Sequence, residues 1–388
     1  MTALGWAAAS FATSAALLHL VTIAIGIRRC RPASRATMRP TGAPPITLIR
    51  PVRGVEPMDE ITLRSSFSLA YPCYEVIFCV ARADDPATSI VRRLIAEHPS
   101  IPTQLLVGDD HSTANPKLNN VIKGWEAARH DWIVISDSNV LMPGDCLHRL
   151  LGKWRSDTGL VCSPPVGSHP SGFWAELECA FLNTYQARWQ YAADTIGLGF
   201  AQGKTMLWRR ETLERAGGIR ALGCEIAEDA AATKVVCGMG LHVRLVDNPF
   251  PQPLGMRGAR SVWVRQLRWA RLRRATFAFY FVPELITGAM PPLLAAGYAS
   301  SDAGVDPLPV VVLFALQWYA AEVMLARLAR WHLSTWTLAS WILRDMLLPV
   351  LWIQAWLGNG FEWRGNVMSV RTETADAAAV GAGPGPGP

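Results

Sequence analysis

In the stretch WIVISDSN, residues 132–139, a short apolar run typical of a buried strand is followed at once by an acid. Similar β-rich runs recur along the chain, at 46–50 (ITLIR), 74–80 (YEVIFCV), 103–107 (TQLLV), 159–163 (GLVCS) and 242–246 (HVRLV). Helical stretches alternate with them, near 57–69, 86–97, 117–129, 143–155, 172–192 and 229–238. Near-continuous apolar strands separated by helices predict an α/β domain with a mostly parallel sheet covered on both faces.

Carboxylates stand directly after several of these runs. Asp84 and Asp85 follow the second run, Asp137 follows the run at 132–136, and Asp229 stands where a helix is predicted to begin. Because ligands of open parallel sheets bind at the carboxyl ends of the strands, functional residues are expected in these loops. Each acid alone is typical of a solvated turn or a helix cap.

Two of these positions have a specific chemical reading. Asp137 and Asn139, two positions apart after a central strand, can together hold a hard divalent cation on a diphosphate, although the second ligand is neutral. Asp229, with Glu228 beside it at a helix N-terminus, could supply a carboxylate base. The alternative reading of Asp229 is a first-turn acid that the helix dipole favours.

The N-terminal end of the chain predicts a membrane anchor. Half of the residues are hydrophobic and only 18% are charged, against the roughly 25% of ordinary soluble proteins. Residues 3–27 carry no formal charge and are long enough to cross a ~30 Å hydrocarbon core. Five arginines and no acid follow between positions 28 and 39, so the positive-inside rule places the following domain in the cytoplasm.

The C-terminal part is apolar again. The segments 275–299 and 308–326 can each span a membrane. A third segment, 333–357, contains Arg344, Asp345 and a proline, which predicts either a span or a broken, re-entrant hairpin. A charged pair at that depth is expected to face protein or water.

The net charge of +6 comes largely from arginines beside the apolar segments, so no nucleic-acid partner is predicted. The basic stretch RQLRWARLRR (265–274) stands just before the first C-terminal segment. The eight cysteines form no CxxC pair, and no structural zinc is predicted. The chain also lacks the phosphate-binding GxxxxGK[ST] loop and the HExxH motif.

Seven pieces of sequence, taken in order, resemble a known family. They are RPVRGVEP (50–57), YPCYEVIFCVARADDPA (71–87), NPKLNN (115–120), SDSN (136–139), GLVCSPP (159–165), IAEDAA (226–231) and RQLRW (265–269). This order resembles the ceramide glucosyltransferase family, which is close to the inverting, nucleotide-sugar-dependent glycosyltransferases with a GT-A fold. The likeness covers roughly residues 46–275. The compact, Arg- and Trp-rich sequence also resembles a bacterial branch associated with hopanoid lipids.

The resemblance implies roles on the donor side of a site. Asp84 or Asp85 would contact the uridine of a UDP-sugar, and the two alternatives stay open. Lys117 and Asn120 would line the nucleotide site, and Asp137, with Asn139 as second ligand, would lie near the metal and the diphosphate. The implied cofactor is a divalent cation, Mg²⁺ or Mn²⁺.

The resemblance also implies roles for the catalytic groups. Asp229 would be the base, Arg265 and Arg268 would contact the diphosphate, and Trp269 would lie against the acceptor or the sugar. The remaining arginines of 265–274 would flank the next membrane segment. The expected reaction transfers glucose or N-acetylglucosamine from a UDP-sugar to the hydroxyl of a membrane lipid, either ceramide or a hopanoid.

This reading divides the chain into five parts and predicts a multi-pass protein of a bacterial-type inner membrane. The parts are an anchor (1–28), a basic linker (29–45), a GT-A domain (46–274), C-terminal membrane segments (275–360), and an interfacial motif with a disordered tail (361–388). A membrane-tethered protein that binds acidic lipids without catalysis is the alternative from another class. A processive polysaccharide synthase is a third reading, although such enzymes usually have more membrane helices. The sequence leaves the number of subunits open.

Overall fold

The structure, a computed structural model, describes residues 1–31, 42–363 and 366–369. Most of the predicted basic linker (29–45) and most of the predicted interfacial motif with its disordered tail (361–388) therefore lie outside the described residues.

A seven-stranded sheet forms the centre of the domain, in the order β3-β2-β1-β4-β7-β5-β8. Its strands are β1 (Ile46–Val52), β2 (Tyr74–Val80), β3 (Thr103–Val107), β4 (Trp132–Ser136), β5 (Thr158–Cys162), β7 (Thr205–Arg209) and β8 (His242–Leu245). Two further strands, β6 (Val166–Ser171) and β9 (Pro251–Met256), pair with each other in parallel, outside this sheet. The six predicted strands are confirmed to within two residues at either end.

The strand β7 was not predicted, and it directly follows the glycine-rich stretch GLGFAQGK (197–204). β7 pairs antiparallel with β4 and with β5, so it lies in the middle of an otherwise parallel sheet. Its apolar part is only Met206, Leu207 and Trp208, all fully buried. Such a short run after a glycine-rich segment has too little periodicity to be distinguished from a loop.

Helices lie on both faces of the sheet. Those of the domain are α2 (Asp59–Arg64), α3 (Ala87–Glu97), α4 (Pro116–Ala127), α5 (Cys146–Gly152), α6 (Phe173–Ala180), α7 (Arg188–Thr195), α8 (Arg210–Glu214), α9 (Glu228–Gly238) and α10 (Ala259–Thr276). Side chains alternate along each strand. On β1, Ile49 therefore packs in one cluster with Trp125 of α4, and Leu48 packs in a second cluster with Leu94 of α3 and Leu147 of α5. The predicted two-sided covering is confirmed.

Three described helices are long and apolar enough to cross a membrane, and a bent pair could make a fourth span. The three are α1 (Ala3–Cys30), α13 (Pro307–Leu328) and α14 (Thr337–Leu357). The bent pair consists of the helical segment Ala278–Ile286 and the helix α12 (Met290–Asp302), with an angle of 47° between them. The segment Ala278–Ile286 begins with α11 (Ala278–Phe281). The break therefore falls in the first predicted C-terminal segment. The third segment is one continuous helix and not the broken hairpin of the alternative prediction, because its proline lies inside α14 without ending it.

The charged pair of α14 faces protein, as predicted. Arg344 binds Glu322 of α13 at 2.9 Å and Asp345 at 3.0 Å, and each of the three side chains is 1% exposed or less. Thr184, in a π-helical segment between α6 and α7, completes the cluster by contacting both Glu322 and Arg344. A buried charge in a low dielectric needs such full pairing.

The predicted anchor helix α1 is fixed to the domain at its C-terminal end, where the arginines lie. Arg29 binds Asp194 of α7 at 2.8 Å, donates to the carbonyl of Leu245 at 2.7 Å, and lies over the ring of Tyr191. α1 thereby lies beside the loops that follow the strands, where the candidate site is found.

Candidate active site

A cavity of about 1920 Å³ lies at the carboxyl ends of the central strands. Its lining includes the end of β1, the residues that follow β2 and β4, the first turns of α4 and α9, and one face of α10. This is the edge of the sheet at which the sequence predicted ligand binding. The cavity brings together eight of the predicted site residues, which are Lys117, Asn120, Asp137, Asn139, Asp229, Arg265, Arg268 and Trp269.

Lys117 stands at the centre of the polar end of this cavity. Its Nζ lies 2.6 Å from Asp137 Oδ1, 2.6 Å from Glu228 Oε1 and 2.7 Å from the carbonyl of Gly203. Asn115 caps α4 by accepting from the backbone amides of its first turn, and donates to the other oxygen of Glu228 at 2.8 Å. The helix start thus positions both the lysine and its carboxylate partner.

Asp137 follows β4 and lies between two ammonium groups. Lys117 contacts one carboxylate oxygen, and Lys204 Nζ lies 2.9 Å from the other. Burial by itself would raise the pKa of Asp137, but the two lysines outweigh burial and hold this pKa below its usual range. Asp137 is therefore ionised at any physiological pH.

Asp229 differs from Asp137 in its electrostatic surroundings. It lies in the first turn of α9, and its Oδ2 accepts the backbone N–H of Gly203 at 3.1 Å. Burial, and then the adjacent negative charge of Glu228, raise the pKa of Asp229 to about 6. A carboxylate with a pKa close to the operating pH is suited to accept a proton.

Gly203 and Lys204 connect the two acids, and neither is among the site residues predicted from the sequence. Besides its contacts to Lys117 and Asp229, Gly203 has no room for a side chain, since an added Cβ would lie 2.7 Å from Glu228 Oε1. Lys204 accepts the backbone N–H of Asp137 at 3.0 Å through its carbonyl. The only sequence signal was a Gly-Lys pair at the end of a glycine-rich segment, which becomes informative once β7 is known to lie beside β4.

The predicted cation ligands lie side by side, but the arrangement around them does not fit a divalent cation. Lys204 Nζ lies between them, 2.9 Å from Asp137 Oδ2 and 3.3 Å from Asn139 Oδ1. Within residues 1–31, 42–363 and 366–369, no group of three His, Cys, Asp or Glu side chains could hold a metal ion. The oxygens that a cation would need are engaged by ammonium groups.

The residues predicted to contact the uridine lie further out. Asp85 accepts the backbone N–H groups of Gly54 at 3.0 Å and Ala87 at 2.9 Å, so it holds the loop after β1. Asp84 is 69% exposed and paired with Arg82. Neither aspartate is among the described residues that line the cavity.

Two other polar residues that line the cavity follow β3 or lie on α4. Asn120, predicted for the nucleotide site, lines the cavity and donates from Nδ2 to the carbonyl of Cys79 at 2.8 Å. Asp109, which follows β3, lines the cavity as well and was not predicted. Its Oδ1 is buried without a hydrogen-bond partner.

The predicted motif residues of α10 share one side of the cavity. Arg265, Arg268 and Trp269 all line it. Arg265 forms an ion pair with Glu178 of α6, whose side chain is fully buried. Trp269 packs against the small core cluster that contains Leu182. α10 therefore contributes two guanidinium groups and one indole to the lining of the cavity.

The last arginines of 265–274 are more than a membrane flank. Arg273 lines the cavity and binds Glu284 through two hydrogen bonds, of 2.7 and 2.8 Å. Arg274 lies over the ring of Trp356 at the end of α14. Both residues thus connect α10 to the membrane part of the chain.

The far end of the cavity is apolar and borders the membrane helices. Leu18 of the anchor helix lines it, together with Ile196 and Leu198 from the loop after α7 and Tyr280 and Ile286 from the bent segment. All five side chains are more than a third exposed. Lys117, Lys204, Asp137, Glu228 and Asp229 form an acid–lysine cluster at the polar end. One cavity therefore extends from this cluster to the face of a candidate membrane span.

Comparison with solved structures identifies the fold. The mannosyltransferase PcManGT from Pyrobaculum calidifontis, solved in complex with GDP-Man and Mn²⁺, is similar over 92% of this chain and 97% of its own, with a TM-score of 0.53 and 20% sequence identity. Together with the mixed sheet and the apolar helices, this likeness confirms the predicted GT-A fold with membrane segments.

Curated relatives point in the same direction. Ceramide glucosyltransferase 3 of Caenorhabditis elegans is 24% identical over 358 residues, which are 90% of this chain and 77% of that protein. Ceramide glucosyltransferase of Komagataella phaffii is 29% identical over 287 residues, 59% of this chain and 56% of that protein. The chain thus spans only about half of the second relative.

The family assignment follows from a broader match. The sequence model of glycosyl transferase family 21 matches residues 14–376. This range includes the C-terminal part of α1, the acid–lysine cluster and the C-terminal apolar helices. Because the match covers most of the chain, the protein belongs to glycosyl transferase family 21 and is a glycosyltransferase.

Proposed function

We propose that this protein transfers a sugar from a UDP-sugar to the hydroxyl of a membrane lipid, with inversion at the sugar. The observation that carries the proposal is the single cavity, which is lined at one end by Lys117, Asp137 and Asp229 and at the other by Leu18 of the anchor helix. A lipid lying against α1 could present its hydroxyl to the acids without leaving the bilayer. Glucose or N-acetylglucosamine is the proposed sugar, and ceramide or a hopanoid the proposed acceptor.

Asp229 is the proposed catalytic base. It accepts the proton of the lipid hydroxyl while that oxygen attacks the anomeric carbon and the bond to the diphosphate breaks. The neighbouring carboxylate of Glu228 is engaged by Lys117 and Asn115, so it is not available as a nucleophile. One base without a second reacting carboxylate favours direct displacement and hence inversion.

The positive groups of the cavity are proposed to stabilise the leaving diphosphate. Lys117, Lys204 and Arg268 line the same cavity as Asp229. Negative charge grows on the leaving oxygens during transfer, so fixed cations stabilise the transition state more than the bound substrate. Arg265 is proposed to act beside them from its ion pair with Glu178.

The donor and the cation are supported at different levels. The nucleotide sugar bound by the similar mannosyltransferase supports a nucleotide-sugar donor, of which UDP is the proposed form. The Mn²⁺ of that structure supports a divalent cation in general terms. Mg²⁺ or Mn²⁺ at Asp137 and Asn139 stays a prediction, since a cation there would have to displace Lys204.

The proposed location is a bacterial-type inner membrane, with the catalytic domain in the cytoplasm. The arginines at the end of α1 support this orientation through the positive-inside rule. UDP-sugars are made in the cytoplasm, which is the side on which the acid–lysine cluster would then open.

Transfer by the purified protein tests the proposal. The full chain in lipid nanodiscs that contain ceramide or a hopanoid is incubated with UDP-glucose or UDP-N-acetylglucosamine, and new glycolipids are measured by mass spectrometry. Asp229→Asn should lower the rate by about 10²-fold or more, because general-base catalysis is lost. Asp157→Asn is the matched control, because Asp157 pairs with Arg244 on the surface and does not line the cavity.

Two results would contradict the proposal. One is that neither donor yields a glycolipid with either acceptor while a known glycosyltransferase works in the same nanodiscs. The other is that Asp229→Asn and Asp157→Asn transfer equally fast.

A further inference from the structure

Lys204 stands where the sequence predicted a divalent cation. Its Nζ lies 2.9 Å from Asp137 Oδ2 and 3.3 Å from Asn139 Oδ1, and its side chain lines the cavity. Lys117 occupies the other oxygen of Asp137 at 2.6 Å. The two ammonium groups thus take up the carboxylate that would be the main cation ligand.

We propose that Lys204 is a donor-binding residue that takes the place of the cation, so that this chain binds a nucleoside diphosphate without a metal ion. The inference rests on the proposed function, because the ligand is the diphosphate part of the proposed UDP-sugar. Lys204 and a divalent cation compete for the same oxygens of Asp137 and Asn139.

Distances explain the competition. A Mg²⁺ ion needs its oxygen ligands at about 2.0–2.1 Å in near-octahedral geometry. The ammonium nitrogen of Lys204, 2.9 Å from Asp137 Oδ2 and 3.3 Å from Asn139 Oδ1, lies between the two ligands and would repel a divalent cation that bound to both of them. Binding of the cation therefore requires that Lys204 leave both ligands. This movement costs free energy, and donor binding through Lys204 does not require it.

The backbone holds Lys204 in place while its side chain can move. Its carbonyl accepts the N–H of Asp137 at 3.0 Å, and Thr205, the next residue, begins β7. The Cα of Lys204 is therefore fixed beside Asp137 by the sheet, and only the four-carbon side chain needs to turn. The ammonium group can contact a diphosphate oxygen while it remains close to Asp137.

A diphosphate needs positive groups from outside the cluster as well. Two lysines, Lys117 and Lys204, face three carboxylates, those of Asp137, Glu228 and Asp229. The cluster alone has more negative than positive groups, so further cations must face the diphosphate. Arg265 and Arg268 on α10 line the same cavity, so positive groups face a bound diphosphate from both sides.

Binding of UDP, measured by calorimetry, tests the proposal on the purified full chain in detergent. UDP is titrated in EDTA and in Mn²⁺ into the wild-type protein, Lys204→Met, Lys204→Arg and the control Lys153→Met. Lys153 pairs with Asp247 and does not line the cavity. Thermal unfolding of each variant shows that the protein is folded.

The wild-type protein should bind UDP equally well, within about threefold, in EDTA and in Mn²⁺. Lys204→Met should weaken binding in EDTA by about 10- to 100-fold, the equivalent of one hydrogen bond to a charged group. Mn²⁺ should restore part of the loss, because Asp137 and Asn139 become free to bind it. Lys204→Arg should keep most of the metal-free binding, and Lys153→Met all of it.

Loss of wild-type UDP binding in EDTA with recovery in Mn²⁺ would overturn the inference and leave the proposed function intact. The same is true if Lys204→Met binds UDP like Lys153→Met in EDTA. A folded wild-type protein that binds no UDP under either condition would overturn the proposed function, and the inference with it.

Discussion

Two clusters of buried charged side chains in this protein have similar composition but differ in whether a ligand can reach them. Between the membrane helices, Arg344 is enclosed by Glu322 and Asp345, and all three side chains are at most 1% exposed. At the ends of the sheet strands, Lys117 and Asp137 belong to a cluster that borders a cavity of about 1920 Å³. The first cluster is closed, and the second is open to a ligand.

The two clusters differ in how completely their carboxylates are paired, and this difference indicates which buried charges can take part in a reaction. In the closed cluster every carboxylate has a cation or a hydroxyl as partner. These contacts hold the helices together. In the open cluster, no ammonium group of the described residues forms an ion pair with Asp229, and its pKa stays raised. A charge that is buried but incompletely paired, beside a cavity, is the one to expect at a reacting centre.

Removing the arginine of the closed cluster should have the largest effect, and on stability. Arg344→Met leaves Glu322 and Asp345 as unpaired acids between helices, which should cost about 3–5 kcal/mol. Thermal and denaturant unfolding in detergent measure this change. The control is Arg327→Met, because Arg327 is exposed on α13. Equal stability of the two variants would show that the closed cluster does not hold the helices together.

Crowding the open cluster should have a smaller effect, and on activity. In Gly203→Ala, the new Cβ would lie 2.7 Å from Glu228 Oε1 and 3.3 Å from Lys117 Nζ, so the pair must shift. We expect glycosyl transfer to fall roughly 10-fold, the equivalent of about 1.4 kcal/mol, with unfolding almost unchanged. Gly152→Ala is the control, since a Cβ there meets nothing within 4 Å. If both variants keep full activity, Gly203 does not position the cluster.

The pH dependence should show the smallest change. Asp229 must be ionised to act as a base, so kcat/KM should fall as the pH drops through about 6. Glu228→Gln removes the neighbouring charge but not the burial, which is the larger cause. The acid limb should therefore move to lower pH by roughly one unit at most. Glu225→Gln, which removes a surface partner of Lys234, is the control and should leave the limb in place. A limb unmoved by Glu228→Gln would contradict the role given to that charge.

Local patterns in the sequence predicted the sheet and the position of the main acids. The apolar run 132–136 and the acid after it gave a buried strand and a polar side chain at its carboxyl end, because both depend on neighbours in the chain. The burial of Arg344 and Asp345 could likewise be predicted, since a membrane leaves such residues few alternatives.

The rest of the site could not be predicted from local patterns, because it depends on contacts between residues that lie far apart in the sequence. Lys204 lies beside Asp137 only because β7 enters the sheet next to β4, across 67 positions of sequence. The raised pKa of Asp229 depends on burial that only the folded chain produces. The roles predicted for Asp84 and Asp85 stay predictions, although the structure places both outside the lining of the cavity.

A cryo-EM structure of the full chain in lipid nanodiscs with UDP and an acceptor lipid would show whether donor and lipid meet in this one cavity. The account predicts that the diphosphate lies within hydrogen-bond distance, about 3.2 Å or less, of Lys117 and Lys204 Nζ. It also predicts that the lipid lies along α1 with its hydroxyl next to Asp229. UDP bound away from the two lysines, or a lipid that does not enter this cavity, would contradict the account.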